Sequence, residues 1–203
     1  TFAPPAPGGY GGQVVVVSHG SLWVLDRQGA LSASLPIEAF GIHGRVCDVL
    51  PLRGGEILIA ERGPGLVHRC HLADRVCVPF TTDARFTGLE GSFELAASDD
   101  QSQIYLAHTT RHAIHLFDGS GTWIATSDTE GQYKFPHRPV VVADELYVAD
   151  TNHRRLVAIE REAARFGELA GSFSTETFLG SPGRVYPIAQ RRLSGGTWWV
   201  VIG

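Results

Sequence analysis

Three four-residue runs recur along the chain: Ile57-Leu58-Ile59-Ala60, Ile104-Tyr105-Leu106-Ala107 and Leu146-Tyr147-Val148-Ala149. Each is apolar, ends in alanine, is rich in β-branched or aromatic residues, and is too short for an ordinary helix. Runs of this kind bounded by polar turns are strands of an antiparallel meander. Val14 to Val17 and Trp198 to Val201 fill the same slot, so the slot opens at 14, 57, 104, 146 and 198, with spacings of 43, 47, 42 and 52. A second mark keeps the register. Leu25-Asp26-Arg27-Gln28-Gly29 and Phe117-Asp118-Gly119-Ser120-Gly121 are the same strand-end turn. Other strands fall around these marks at four per unit. Examples are Val46 to Leu50, Leu66 to His71 and Val76 to Phe80 in the second unit, and Phe93 to Ala97, Ala113 to Phe117 and Trp123 to Thr126 in the third. The fourth unit runs through Val140 to Ala143 and Leu156 to Ile159, with an outer strand near Phe166 to Ala170. An all-β repeat of about 40–50 residues with four strands per unit predicts a β-propeller of four-stranded antiparallel blades.

About four to five blades fit in 203 residues. The first unit lacks an innermost strand and the last holds two strands, the first opening near Val185. Either Val185 to Ala189 completes the first unit in a four-bladed ring, or the ring has five or six blades of which this chain is part. The second is favoured, because the chain stops inside the apolar strand TWWVVIG, and an unpaired strand of that composition is an aggregation-prone edge. Residues 1–12, TFAPPAPGGYGG, read as a Pro/Gly-rich linker ahead of a single propeller domain at 13–203.

Leu146-Tyr147-Val148-Ala149-Asp150-Thr151-Asn152-His153-Arg154-Arg155-Leu156 resembles the NHL repeat: an apolar strand, an Asp, a short polar turn with Asn-His, an Arg and a second strand. The third unit keeps that shape with His108 in place of the Asp, and the second has Glu61 there followed by a Gly-Pro turn. The loops joining second to third strands share one face of a propeller, where ligands commonly bind. They carry Glu61-Arg62, His108 to His112 and Asp150 to Arg154. Arginine forks suit carboxylate and phosphate groups. The expected ligand-binding residues are therefore Arg62, His108, Arg111, Asp150, His153 and Arg154. The competing reading is that Asp150 and Arg154 pair locally or across blades to fix the turn, and that the histidines are solvated loop residues.

The expected function is a non-catalytic binding or scaffold propeller presenting this rim to a protein, a peptide or a small anionic ligand. No catalytic residues, no metal and no cofactor are expected. The chain has no Gly-x-Ser-x-Gly elbow and no phosphate loop, and two adjacent acids at Asp99-Asp100 do not make a calcium loop. The NHL-type propellers include a peptide-amidating lyase that works through metal-bound histidines. The resemblance therefore also implies an alternative, a metal-dependent lyase or lactone hydrolase with its site on the propeller axis. The inner strands offer mainly Asp48 and Glu94 for that role.

A net charge of −4 and a pI near 6.1 point away from nucleic acid, and no apolar run is long enough to insert directly into a membrane. Cys70 and Cys77 flank HLADRV, a hairpin turn, and face each other if the strands pair; reduced thiols packed as small hydrophobes are the other reading. A disulfide there places the protein in an oxidising compartment, so it is expected to be exported, periplasmic or extracellular, and able to carry an upstream anchor.

Overall fold

The computed structural model describes residues 14–26, 28–62, 66–86, 88–142, 145–176, 187–192 and 198–202. The expected linker at 1–12, the glycine-rich turn at 63–65, the turn residues 143–144 and 193–196, and the expected strand start at Val185 lie outside them. Among the described residues the regular structure is strand and short 3-10 turns apart from helical Thr175 and Glu176, and no helix is long and apolar enough to cross a membrane.

The chain forms two compact units, Thr1–Phe93 and Glu94–Gly203. In the first, β1 (Val14–Ser18), β2 (Ser21–Leu25) and β3 (Leu31–Pro36) make a three-stranded antiparallel sheet. A four-stranded sheet follows: β4 (Arg45–Pro51), β5 (Glu56–Arg62), β6 (Val67–His71) and β7 (Val76–Pro79), paired in chain order. Alternation along β5 and β2 sends Ile57, Ile59 and Leu22 into a shared core with Val15, Val49 and Phe40. Each such side chain contributes about 1.5–3 kcal/mol by leaving water. Phe40 and Ile37 arrive on a 3-10 turn, Ile37–Phe40, that strand periodicity alone did not reveal.

Cys70 and Cys77 are directly opposite on β6 and β7 and form a disulfide, with Cα atoms 4.1 Å apart. The bond closes a short loop, so chain-entropy reasoning assigns it about 2–3 kcal/mol. Cys70 is itself a member of the core, so the cross-link anchors the outer strand to it.

In the second unit β8 (Phe93–Ala97), β9 (Gln103–His108), β10 (Ala113–Asp118) and β11 (Trp123–Ser127) form one four-stranded sheet. The next is β12 (Pro136–Val142), β13 (Glu145–Asp150), β14 (Arg155–Ile159) and β15 (Leu169–Ser174). A pair, β16 (Pro187–Arg192) and β17 (Trp198–Ile202), follows. Tyr105, Ile114 and Leu116 from one four-stranded sheet pack on Val141, Leu146 and Val148 from the other. That face-to-face packing is what brings the loops of neighbouring sheets together.

Two strands differ from the pattern expected of them. The outer strand begins at Leu169 rather than Phe166, because a 3-10 turn at Ala163–Arg165 and Gly167 at φ 93° occupy the expected start. The inner strand begins at Pro136, four residues before Val140. A bulge between His137 and Val140 hides its alternation, with Arg138 at φ 32° and Pro139 lacking an N–H.

A candidate anion-binding rim

Two turns of the second unit have the same backbone. His108 ends β9 and Asp150 ends β13. Each is followed by a three-residue 3-10 turn, Thr109–Arg111 or Thr151–His153, and then by a left-handed residue, His112 at φ 58° or Arg154 at φ 55°. The N–H of the left-handed residue donates to the carbonyl of Thr109 or Thr151, at 3.4 and 3.1 Å. A non-glycine residue in this region costs about 1–2 kcal/mol, so surrounding contacts must hold it. At Arg154 they are visible: its carbonyl accepts from both the N–H and the hydroxyl of Thr175.

Asp150 is the hub of its turn. Its carboxylate is wholly buried and accepts from the Lys134 N–H at 2.7 Å, from His153 Nδ1 at 2.7 Å and from Arg155 Nε at 2.7 Å. Arg155 also donates through Nη2 to the Gln132 carbonyl at 2.6 Å. A buried carboxylate is tolerated only when its lone pairs are this fully used.

The segment before β12 is stitched between the two turns. Lys134 donates to Asp150 and its carbonyl accepts from the Asn152 N–H, both within the Asp150 turn. The next residue, Phe135, donates its N–H to His112 Nδ1 at 3.0 Å, in the other turn. The Phe135 and His112 rings meet edge to face at 4.8 Å. Two residues on, His137 Nδ1 lies 2.8 Å from Glu94 Oε1, and the Arg138 N–H donates to Glu94 Oε2. Burial pushes the Glu94 carboxyl up, but the hydrogen bond and charge of His137 and the N–H of Arg138 outweigh it and hold the group below its ordinary range.

The six expected residues are thus distributed unevenly. Arg62 belongs to the first unit, at the exposed end of β5 opposite Arg45. The other five belong to the second. Arg111, His153 and Arg154 are exposed on the two turns that Lys134 and Phe135 join, while Asp150 lies beneath them and is bonded to His153. His108 is fully buried, its ring 6.0 Å from that of His115. His115 is itself buried, and burial, with the charges of His108 and Arg111, pulls its pKa down to about 3. It is neutral at physiological pH, with Nδ1 2.9 Å from the Thr126 hydroxyl.

Sequence reasoning missed Lys134, Phe135 and His137. The signal available was the Pro136-His137-Arg138-Pro139 stretch, a proline-bracketed kink where an inner strand was due. In the first unit Glu61 fills the Asp150 slot, buried and 3.0 Å from His68 Nε2. Gly44 makes room for it, because a β-carbon there would meet Glu61 Oε1 at 2.0 Å.

The rim therefore exposes Arg111, Lys134, His153 and Arg154, while Asp150 and Glu94 are buried or half-buried and engaged. Arginine and lysine side chains so placed can bind carboxylate or phosphate. Among the described residues no group of three or more His, Cys, Asp or Glu side chains is placed to hold a metal ion.

No family model and no curated protein matches the chain. Solved structures do. Streptogramin B lyase is similar with a TM-score of 0.65 at 15% identity, over 98% of this chain and 64% of that one. Luciferin-regenerating enzyme is similar with a TM-score of 0.61 at 15% identity, over 89% and 61%. A Bacteroides caccae protein of unknown function is similar with a TM-score of 0.63 at 11% identity, over 95% and 68%. The chain thus spans roughly two thirds of the length of the structures it matches. At these identities the likeness carries the fold alone: with its repeated four-stranded antiparallel sheets, this chain is an all-β propeller.

Proposed function

We propose that this chain is a non-catalytic binding module, an NHL-type propeller whose rim captures an acidic peptide, an acidic protein surface or a small anionic ligand. The observation that carries the reading is the stitching of two turns by Lys134 and Phe135. It gathers Arg111, Lys134, His153 and Arg154 while Asp150 is consumed below them. The Cys70–Cys77 disulfide supports an exported location for this binding. The test is calorimetric titration with a glutamate-rich peptide. The double variant Arg111→Ala/Arg154→Ala is expected to weaken binding at least tenfold at low salt, and added salt to weaken the wild type. Unchanged affinity in the double variant removes the rim from the function.

A second reading rests on a different observation. Glu94 and His137 sit on β8 and β12, the first strands of their sheets, which in a propeller border the axis. An acid–imidazole pair there is a starting point for the lyase or lactone-hydrolase alternative. Loss of stoichiometric metal and of activity together in Glu94→Gln would favour it; elemental analysis of the purified wild type without metal would remove it.

A further inference from the structure

We infer that Phe135 is an aromatic reading platform, and that the rim prefers acidic peptides carrying an aromatic side chain beside their carboxylates. The inference rests on the binding reading above and narrows its partner.

Phe135 combines three features. It is a bulky residue at φ 58°, a left-handed conformation that such residues rarely adopt. Its large apolar side chain stays 37% exposed. And its backbone is held there from outside: the Phe135 N–H is tied to His112, while Lys134 just before it is tied at both N–H and carbonyl to the Asp150 turn. Core packing does not explain an exposed phenylalanine, and turn formation alone favours glycine or asparagine at such a dihedral. The strain is therefore spent on presenting a ring.

The surroundings indicate what the ring meets. One of its neighbours is the His112 ring, in edge contact; Lys134 beside it in the chain is exposed, and Arg111 and Arg154 are exposed on the two turns to which this segment is tied. An exposed ring on a segment shared with cations matches a partner that alternates carboxylates with an aromatic ring. An offset or edge-on aromatic pair adds specificity beyond charge. The exposed, spread-out placement of the cations over two turns fits an extended peptide segment.

The experiment uses two fluorescent peptides, Glu-Glu-Phe-Glu-Glu and Glu-Glu-Leu-Glu-Glu, titrated by anisotropy into the wild type, Phe135→Leu and Phe135→Trp. The wild type is expected to bind the phenylalanine peptide about three- to tenfold more tightly than the leucine peptide. Phe135→Leu should erase that ratio, and Phe135→Trp should restore it. Phe135→Gly should lose the ratio with a melting temperature at or above the wild type's, because the backbone strain is relieved. A wild type that binds both peptides equally, or a ratio that survives Phe135→Leu, overturns the platform while leaving the cationic rim intact. A wild type that binds neither peptide overturns the rim and the platform together.

Discussion

The His108 turn and the Asp150 turn have one backbone and two different interiors. Both consist of a strand end, three 3-10 residues and a left-handed residue. Beneath one lies a carboxylate holding three donors; beneath the other lies a buried histidine next to a second, neutral one. The conformation therefore does not depend on the aspartate. What Asp150 adds is attachment, because one of its three donors, Lys134, lies in the segment that leads into the sheet rather than in the turn itself. Asp150 is a tether between segments, and the rim is arranged by it rather than formed from it.

The largest expected effect follows from that tether. Asp150→Ala leaves the Arg155 guanidinium and the Lys134 N–H without their acceptor, which costs about 3–5 kcal/mol and lowers the urea midpoint accordingly. If the comparison holds, amide exchange at Lys134 and Phe135 accelerates in this variant more than at Thr109 to His112. Equal acceleration in both turns would mean that Asp150 supports the whole end of the unit.

The histidine-based interior should be the acid-sensitive one. The folded state holds His115 at about 3, below its unfolded value of about 6.5, so the unfolded chain takes up the proton first. Stability is unaffected above pH 6.5 and declines as pH falls from there towards 3, by about 2–3 kcal/mol at pH 4.5. His115→Gln should flatten that slope. Glu94 works in a lower window: its folded value is depressed, so its contribution is complete above the ordinary carboxylate range and is lost as pH falls through and below it. A slope between pH 6.5 and 4.5 that is the same with and without His115 contradicts the assignment.

The smallest effect tests the shared backbone. Arg154→Gly relieves a left-handed arginine and should stabilise by about 0.5–1 kcal/mol, offset in part by greater freedom in the unfolded chain. His112→Gly should gain less, since it also loses the Phe135 N–H bond and ring contact. Denaturant midpoints of the two variants decide whether the turns are as alike energetically as they are geometrically.

The propeller was legible because period-2 strands and their spacing survive in local composition. Ile57–Ala60, Ile104–Ala107 and Leu146–Ala149 all lie in strands in the same order within their sheets, and all three alanines are fully buried. The opposed cysteines were legible for the same reason, since a six-residue spacer between strands places them in register. The rim was only half legible. Turn positions showed where Arg111, His153 and Arg154 would emerge, but not that His108 would face inward. Its direction is set by the alternation of β9 and by packing around His115, which no local pattern records. Lys134, Phe135 and His137 were hidden by the bulge at Arg138-Pro139, where the strand pattern breaks while the strand itself continues.

The proposed ligand site is where Lys134 and Phe135 join the two turns. Amide chemical-shift mapping of isotope-labelled protein, titrated with the phenylalanine-bearing acidic peptide, tests it most directly. The shifts are expected to concentrate at Thr109 to His112, Lys134 to Arg138 and Thr151 to Arg155, and to vanish in Arg111→Ala/Arg154→Ala. Shifts concentrated on the outer strands, Val76–Pro79 or Leu169–Ser174, with those three segments silent, would contradict it.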